Sequence, residues 1–165
     1  MRTLFILLFA LSLNAQDGIS VGAFHDIKLG LAMDKEHGND NPTLDLLLNV
    51  SLEGKQFSYY YFSAEPFFEI ADLHGGDYKR YGVSLMWNFN RLIVEGLEIG
   101  VGAGFGVIHR PESYASYSFT ADLRHPISKT VSVALKNEFV RRSELKTPKT
   151  GYNLSLGIKV KLVKL

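Results

Sequence analysis

Three side chains lying close in the sequence, His109, Glu112 and Ser113, carry the groups that acyl transfer requires: an imidazole base, a carboxylate and a hydroxyl nucleophile. Ser113 would attack and His109 would take its proton. Only Arg110 and Pro111 separate His109 from Glu112, so all three fall on one loop tip, with no oxyanion donor beyond backbone amides. A polar turn has the same composition, so the three stand as candidates against that plainer reading. Of the other histidines, His25 falls on an apolar parity and His37 sits within Asp34-Lys35-Glu36-His37-Gly38-Asn39-Asp40. His74 lies in a polar stretch, and His125 precedes Pro126. No metal and no cofactor is expected, and the absence of cysteine excludes disulfides and thiolate sites.

A second set of residues is defined by charge. Asp26, Lys28, Asp45, Glu65, Glu69, Glu98, Asp122, Arg124, Lys136, Glu138, Lys159 and Lys161 recur at alternate positions within stretches whose other parity is apolar. If that parity faces inward, these charges must pair, because an isolated buried charge costs several kcal/mol. The expected result is an interior ion-pair network, with Asp26 or Lys28 meeting Lys159 or Lys161, and Glu138 reaching Lys159. Gly100, Gly102, Gly104 and Gly106 strip a third lane of side chains. That lane gives room for bulky neighbours or, alternatively, a groove for an acyl chain. It is no phosphate loop, since no helix follows.

The elements that position these groups repeat every two residues. Ile19, Val21, Ala23, His25, Ile27, Leu29, Leu31 and Met33 alternate with Ser20, Gly22, Phe24, Asp26, Lys28, Gly30 and Ala32. Further alternating stretches run from Thr43 to Leu52, Phe57 to Ile70, Tyr81 to Phe89, Leu97 to Val107, Ser116 to Arg124, Thr130 to Arg142 and Tyr152 to Leu162. Pro66 would remove a ladder hydrogen bond, so a bulge or a strand end is expected nearby. The connections Asp34–Pro42, Leu73–Arg80, Arg110–Ala115 and Ser143–Thr150 should lie at one end. Glu53–Gln56, Asn90–Gly96 and His125–Lys129 should lie at the other.

Eight such strands predict an all-β, eight-stranded antiparallel up-and-down transmembrane β-barrel, in which closure leaves no backbone group unpaired in lipid. Composition agrees: mean hydropathy is +0.02, aromatic residues make up 12%, and 165 residues suit one domain. A net charge of +1 argues against nucleic acid as a partner. Met1-Arg2, the apolar run Leu4 to Leu13, then Asn14-Ala15 have the order of a signal peptide over residues 1–15, with the barrel over 16–165. A barrel this narrow is filled by its own side chains, so no open pore is expected.

In this pattern the chain resembles the small eight-stranded outer-membrane barrels of the OmpA/OmpX type, over all of residues 16–165. The Ala15-Gln16 junction resembles signal peptides of Bacteroidetes. The resemblance implies a Gram-negative outer-membrane location, and lipid and lipopolysaccharide as partners. Asp34, Glu36, Asp40 and Asp77 would then bridge cations to lipid phosphates, and Lys79, Arg80, Arg110, Arg141, Arg142, Lys146 and Lys149 would contact them directly. A structural or surface-interaction role through the outer loops, with a possible protein partner there, is the leading expectation. The alternatives are a lipid-modifying enzyme of the lipid A deacylase or acyltransferase type, and a soluble periplasmic barrel holding an apolar ligand.

Overall fold

A computed structural model describes residues 16–27, 44–72, 78–90, 96–110, 112–142 and 150–164. The strands are β1 (Gln16–Asp26), β2 (Leu44–Gly54), β3 (Tyr60–Asp72), β4 (Tyr78–Asn90), β5 (Glu98–His109), β6 (Ser113–Pro126), β7 (Val131–Arg142) and β8 (Thr150–Lys164). Each pairs antiparallel with its sequence neighbour, and β1 pairs with β8 to close the barrel. Lys28 and the acidic Asp34, Glu36, Asp40 and Asp77 lie outside the described residues, as do the expected continuation of β1 to Met33, residues 1–15, His37, His74, Lys146 and Lys149.

The alternation settles which face is which. Leu48, Phe62, Leu85, Phe105, Phe119, Leu156 and Ile158 are exposed on the outside, whereas Glu65, Glu69, Arg80, Asp122, Arg124 and Glu138 are buried in the lumen. This is the reverse of a soluble protein, so the soluble barrel with an apolar interior does not fit. The inward apolar residues are few, chiefly Phe24, Leu47, Tyr61, Phe67, Tyr78, Met86 and Ile108, and they fill space between charges.

Several boundaries differ from expectation, three of them with consequences for the site. β4 begins at Tyr78 and β2 reaches Gly54, which draws Arg80 and Glu53 out of the expected connections and into the barrel. β6 starts at Ser113 and runs through His125 to Pro126, which pairs with Ser132, so neither belongs to the turn. Neither a bulge nor a strand end accompanies Pro66: β3 runs from Tyr60 to Asp72, and the β2–β3 register is the same on both sides of the proline. Pro66 still pairs with Val83 of β4. The missing N–H costs one local link and leaves the register intact. Gly96 has a φ of 87°, a left-handed conformation that a residue with a side chain rarely adopts, at the turn leading into β5.

The glycine lane of β5 provides room rather than a groove, since a side chain at any of Gly100, Gly102, Gly104 and Gly106 would meet atoms already in place. A side chain at Gly100 would sit on Asp122 Oδ1 and beside Asn88 Oδ1 and Arg124 Nη2, while one at Gly102 would meet Met86. Polar and sulfur-containing groups from β4 and β6 already occupy the space.

Candidate functional site

Two charge clusters cross the lumen. Toward the end where β1 passes to β2, Glu69 of β3 accepts hydrogen bonds from Tyr78 Oη at 2.5 Å and Arg80 Nε at 2.5 Å. The same guanidinium donates from Nη2 to Glu138 of β7 at 2.7 Å and stacks over Phe67, 4.7 Å from its ring centre. Arg80 is fully buried, so it is not one of the residues facing lipid phosphate. Its fork bridges two carboxylates on different strands, a geometry that arginine supplies and lysine does not.

The second cluster is centred on Glu65. Its carboxylate accepts from Asn49 Nδ2 at 2.8 Å, Ser51 Oγ at 3.0 Å and Lys159 Nζ at 2.9 Å. Lys136 Nζ and Arg124 Nη2 each lie 3.7 Å away. Arg124 in turn holds Asp122 through Nε at 3.0 Å and Nη2 at 2.9 Å, and donates to Asn88 Oδ1 at 2.5 Å and Tyr61 Oη at 3.0 Å. Lys161 and Ser20 both donate to Glu53, at 2.9 and 2.8 Å, at the mouth on the short-turn side. That mouth is a polar hollow of about 240 Å³ whose lining includes Glu98, Arg124 and Lys159.

The partners differ from those expected across the β1–β8 seam. Lys159 stands opposite Gly22, and its ammonium crosses to Glu65 of β3. Asp26 pairs with Ser155, far along the strand from Lys159 and Lys161. Glu138 stands opposite Asn153 rather than Lys159 and goes to Arg80. Glu53, Tyr61, Asn49 and Asn88 join the network without having been singled out, and Arg80, expected at lipid phosphate, joins it as well. The signal for Glu53 and Arg80 was available, since each keeps the inward parity of Ser51 and Ser84.

At the opposite end, the β5–β6 hairpin brings His109 and Ser113 together, with Nδ1 and Oγ 3.0 Å apart and both residues exposed. Glu112 does not complete a relay: its carboxylate accepts from Tyr114 Oη at 2.9 Å. Among the described residues, nothing then orients His109 from its far side, as a nucleophile–base pair requires. Among the described residues, no three His, Asp or Glu side chains converge as metal ligands.

The outer surface carries two aromatic groupings. Near the short-turn end, Tyr60, Phe62, Trp87 and Phe89 of β3 and β4 pack together, with Trp87 stacked on Phe62 at 5.7 Å and tilted against Phe89 at 4.7 Å. Near the other end, Phe105 meets Tyr117 at 5.4 Å and Phe139 meets Tyr152 at 5.0 Å. Apolar rows run between them, as in membrane-spanning barrels flanked by aromatic girdles.

No protein-family model matches the chain, and no curated protein matches it by sequence. Solved structures do. The Yersinia pestis outer membrane protein Ail, in a phospholipid bilayer nanodisc, aligns over 88% of this chain and 99% of its own, with 14% identity and a TM-score of 0.57. Neisserial surface protein A aligns over 87% and 96%, with 10% identity and a TM-score of 0.54. A de novo designed transmembrane β-barrel aligns over 89% and 97%, with 11% identity and a TM-score of 0.52. At these identities the likeness is one of fold: a closed, eight-stranded barrel of the small transmembrane type.

Proposed function

We propose that this chain is an outer-membrane barrel, exported by residues 1–15 as a signal peptide, with a structural or surface-interaction role through its outer connections. The observation that carries this is the inverted sorting of its faces, charges buried and paired inside, apolar side chains exposed outside. Such an exterior is stable in lipid and aggregation-prone in water. Two of the solved structures that share the fold are described as an outer membrane protein and a surface protein, which supports the same location. Ion pairs joining opposite strands across the lumen favour a plugged barrel over a pore. Outer-membrane lipid and lipopolysaccharide surround the barrel in this reading, and a protein partner would meet it at the outer connections.

One observation favours the enzyme reading, the 3.0 Å contact between His109 and Ser113. The diversion of Glu112 to Tyr114 weighs against it. Membrane fractionation, together with gel mobility before and after boiling in SDS, tests the location. Sedimentation with outer membrane and a heat-dependent shift are expected, and a soluble protein without a shift would end this reading. Incubation of the purified barrel with lipid A and phospholipid should release no fatty acid. Release that is lost in both His109→Ala and Ser113→Ala would replace the surface role with catalysis.

A further inference from the structure

The seam between β1 and β8 is built differently along its length. In the half toward the outer connections, Phe24 of β1 is buried with Leu47 of β2 and Ala134 of β7, and Lys136 Nζ lies 5.1 Å from its ring centre. The ring also lies against bare backbone of β8, since a Cβ at Gly157 would meet it. In the half toward the short turns, the inward positions of β1 are Gly18, Ser20 and Gly22, which offer one hydroxyl and no bulk. Ser20 stands opposite Lys161 and Gly22 opposite Lys159. The hydroxyl turns away from β8 and donates to Glu53 of β2.

The same half of β1 holds the irregular pairing of the barrel. Among the described residues, register shifts occur only on the two sides of this strand. One lies between Gln16 and Gly18 against β2, the other between Ile19 and Ser20 against β8. A shift disrupts the ladder locally. A stretch with few side-chain anchors and a disturbed ladder on both flanks is where local opening costs least. The side chains that hold β8 across this half pass over β1 altogether. Lys161 Nζ reaches Glu53 of β2 and Lys159 Nζ reaches Glu65 of β3, each at 2.9 Å.

We propose that the seam is a latch of two parts, an apolar clasp at Phe24 and a charged strap formed by Lys159 and Lys161. Releasing the strap opens the short-turn half between the first and last strands while the outer half stays closed. The latch belongs to the barrel itself, and its setting in lipid rests on the membrane reading above. The test is amide hydrogen exchange, followed by NMR, of the barrel refolded in phosphatidylcholine nanodiscs. In a Lys159→Gln, Lys161→Gln double variant, exchange at Ser20–Gly22 and Ile158–Lys161 should rise about tenfold or more, as loss of buried charge contacts would allow. Ala23–His25 and the β4–β5 ladder should keep wild-type rates. Lys161→Gln alone changes a half-exposed side chain at the mouth, so it tests the strap even if the double variant does not fold. It should give a smaller rise at the same amides, and Lys161→Arg, which keeps the charge, should restore protection. Gly106→Ala, which strains the opposite wall, should leave the seam amides at wild-type rates. Unchanged seam exchange in Lys161→Gln, or a rise shared equally by the β4–β5 ladder, overturns the latch and leaves the membrane reading standing. A wild-type chain that does not insert overturns both.

Discussion

Glu65 receives polar contacts from Asn49 and Ser51 of β2, Arg124 of β6, Lys136 of β7 and Lys159 of β8, and so ties its own strand to four others. Removing one partner of a buried charge set leaves the rest uncompensated, at about 3–5 kcal/mol. Glu65→Gln keeps the shape and removes the charge, so the unfolding free energy of the barrel in lipid vesicles, read from urea titration, should fall by that amount. Lys129→Gln, on an exposed turn, should stay within about 0.5 kcal/mol of wild type. The membership of this lumen was largely legible in the parity of Glu65, Asp122, Arg124 and Lys159. Its pairings were not, because the contact between Lys159 and Glu65 depends on how strands stagger around a closed barrel. Arg80 and Glu53 were hidden for another reason: a charge at a strand end, next to turn residues, looks like loop.

At the scale of the strand, two positions on the β4–β5 wall carry tests, one of what its outer face meets and one of how closely its strands approach. Leu85 is exposed midway between Tyr81 and Phe89 on the outer face of β4. Arginine there should cost about 2–4 kcal/mol near the bilayer midplane. The measurement is the unfolding midpoint of Leu85→Arg in vesicles, and an unchanged midpoint would mean that this face meets water. Gly106 tests the β4–β5 contact, since a Cβ there would press on the carbonyl of Tyr81 and on Gly82. Gly106→Ala should lower stability by about 1–3 kcal/mol in the same assay, the usual cost of overpacking. The strands themselves were readable because a barrel with lipid outside and charge inside enforces strict alternation. Their ends were less so: β4 starts three residues before Tyr81, where inward Tyr78 and Arg80 alternate with exposed Lys79 in a run that carries no apolar signal.

For the molecule as a whole, the decisive property is that its hydrophobic surface lies outside a polar, side-chain-filled interior. Period-two rows such as Leu154, Leu156, Ile158 and Val160 suit either a lipid-facing wall or a closed core, so the sequence pattern alone leaves two barrels open. The closure of β1 on β8, with Lys159 and Lys161 turned to Glu65 and Glu53, selects between them. Trp87 is the sole tryptophan of the chain and lies exposed on the outer face of β4 beside Phe62 and Phe89. Its fluorescence in vesicles carrying brominated acyl chains therefore reports directly on what that face touches. Blue-shifted emission that the brominated lipid quenches is the predicted result. Emission indifferent to the bromine, from a protein that stays in the aqueous phase, would contradict the account.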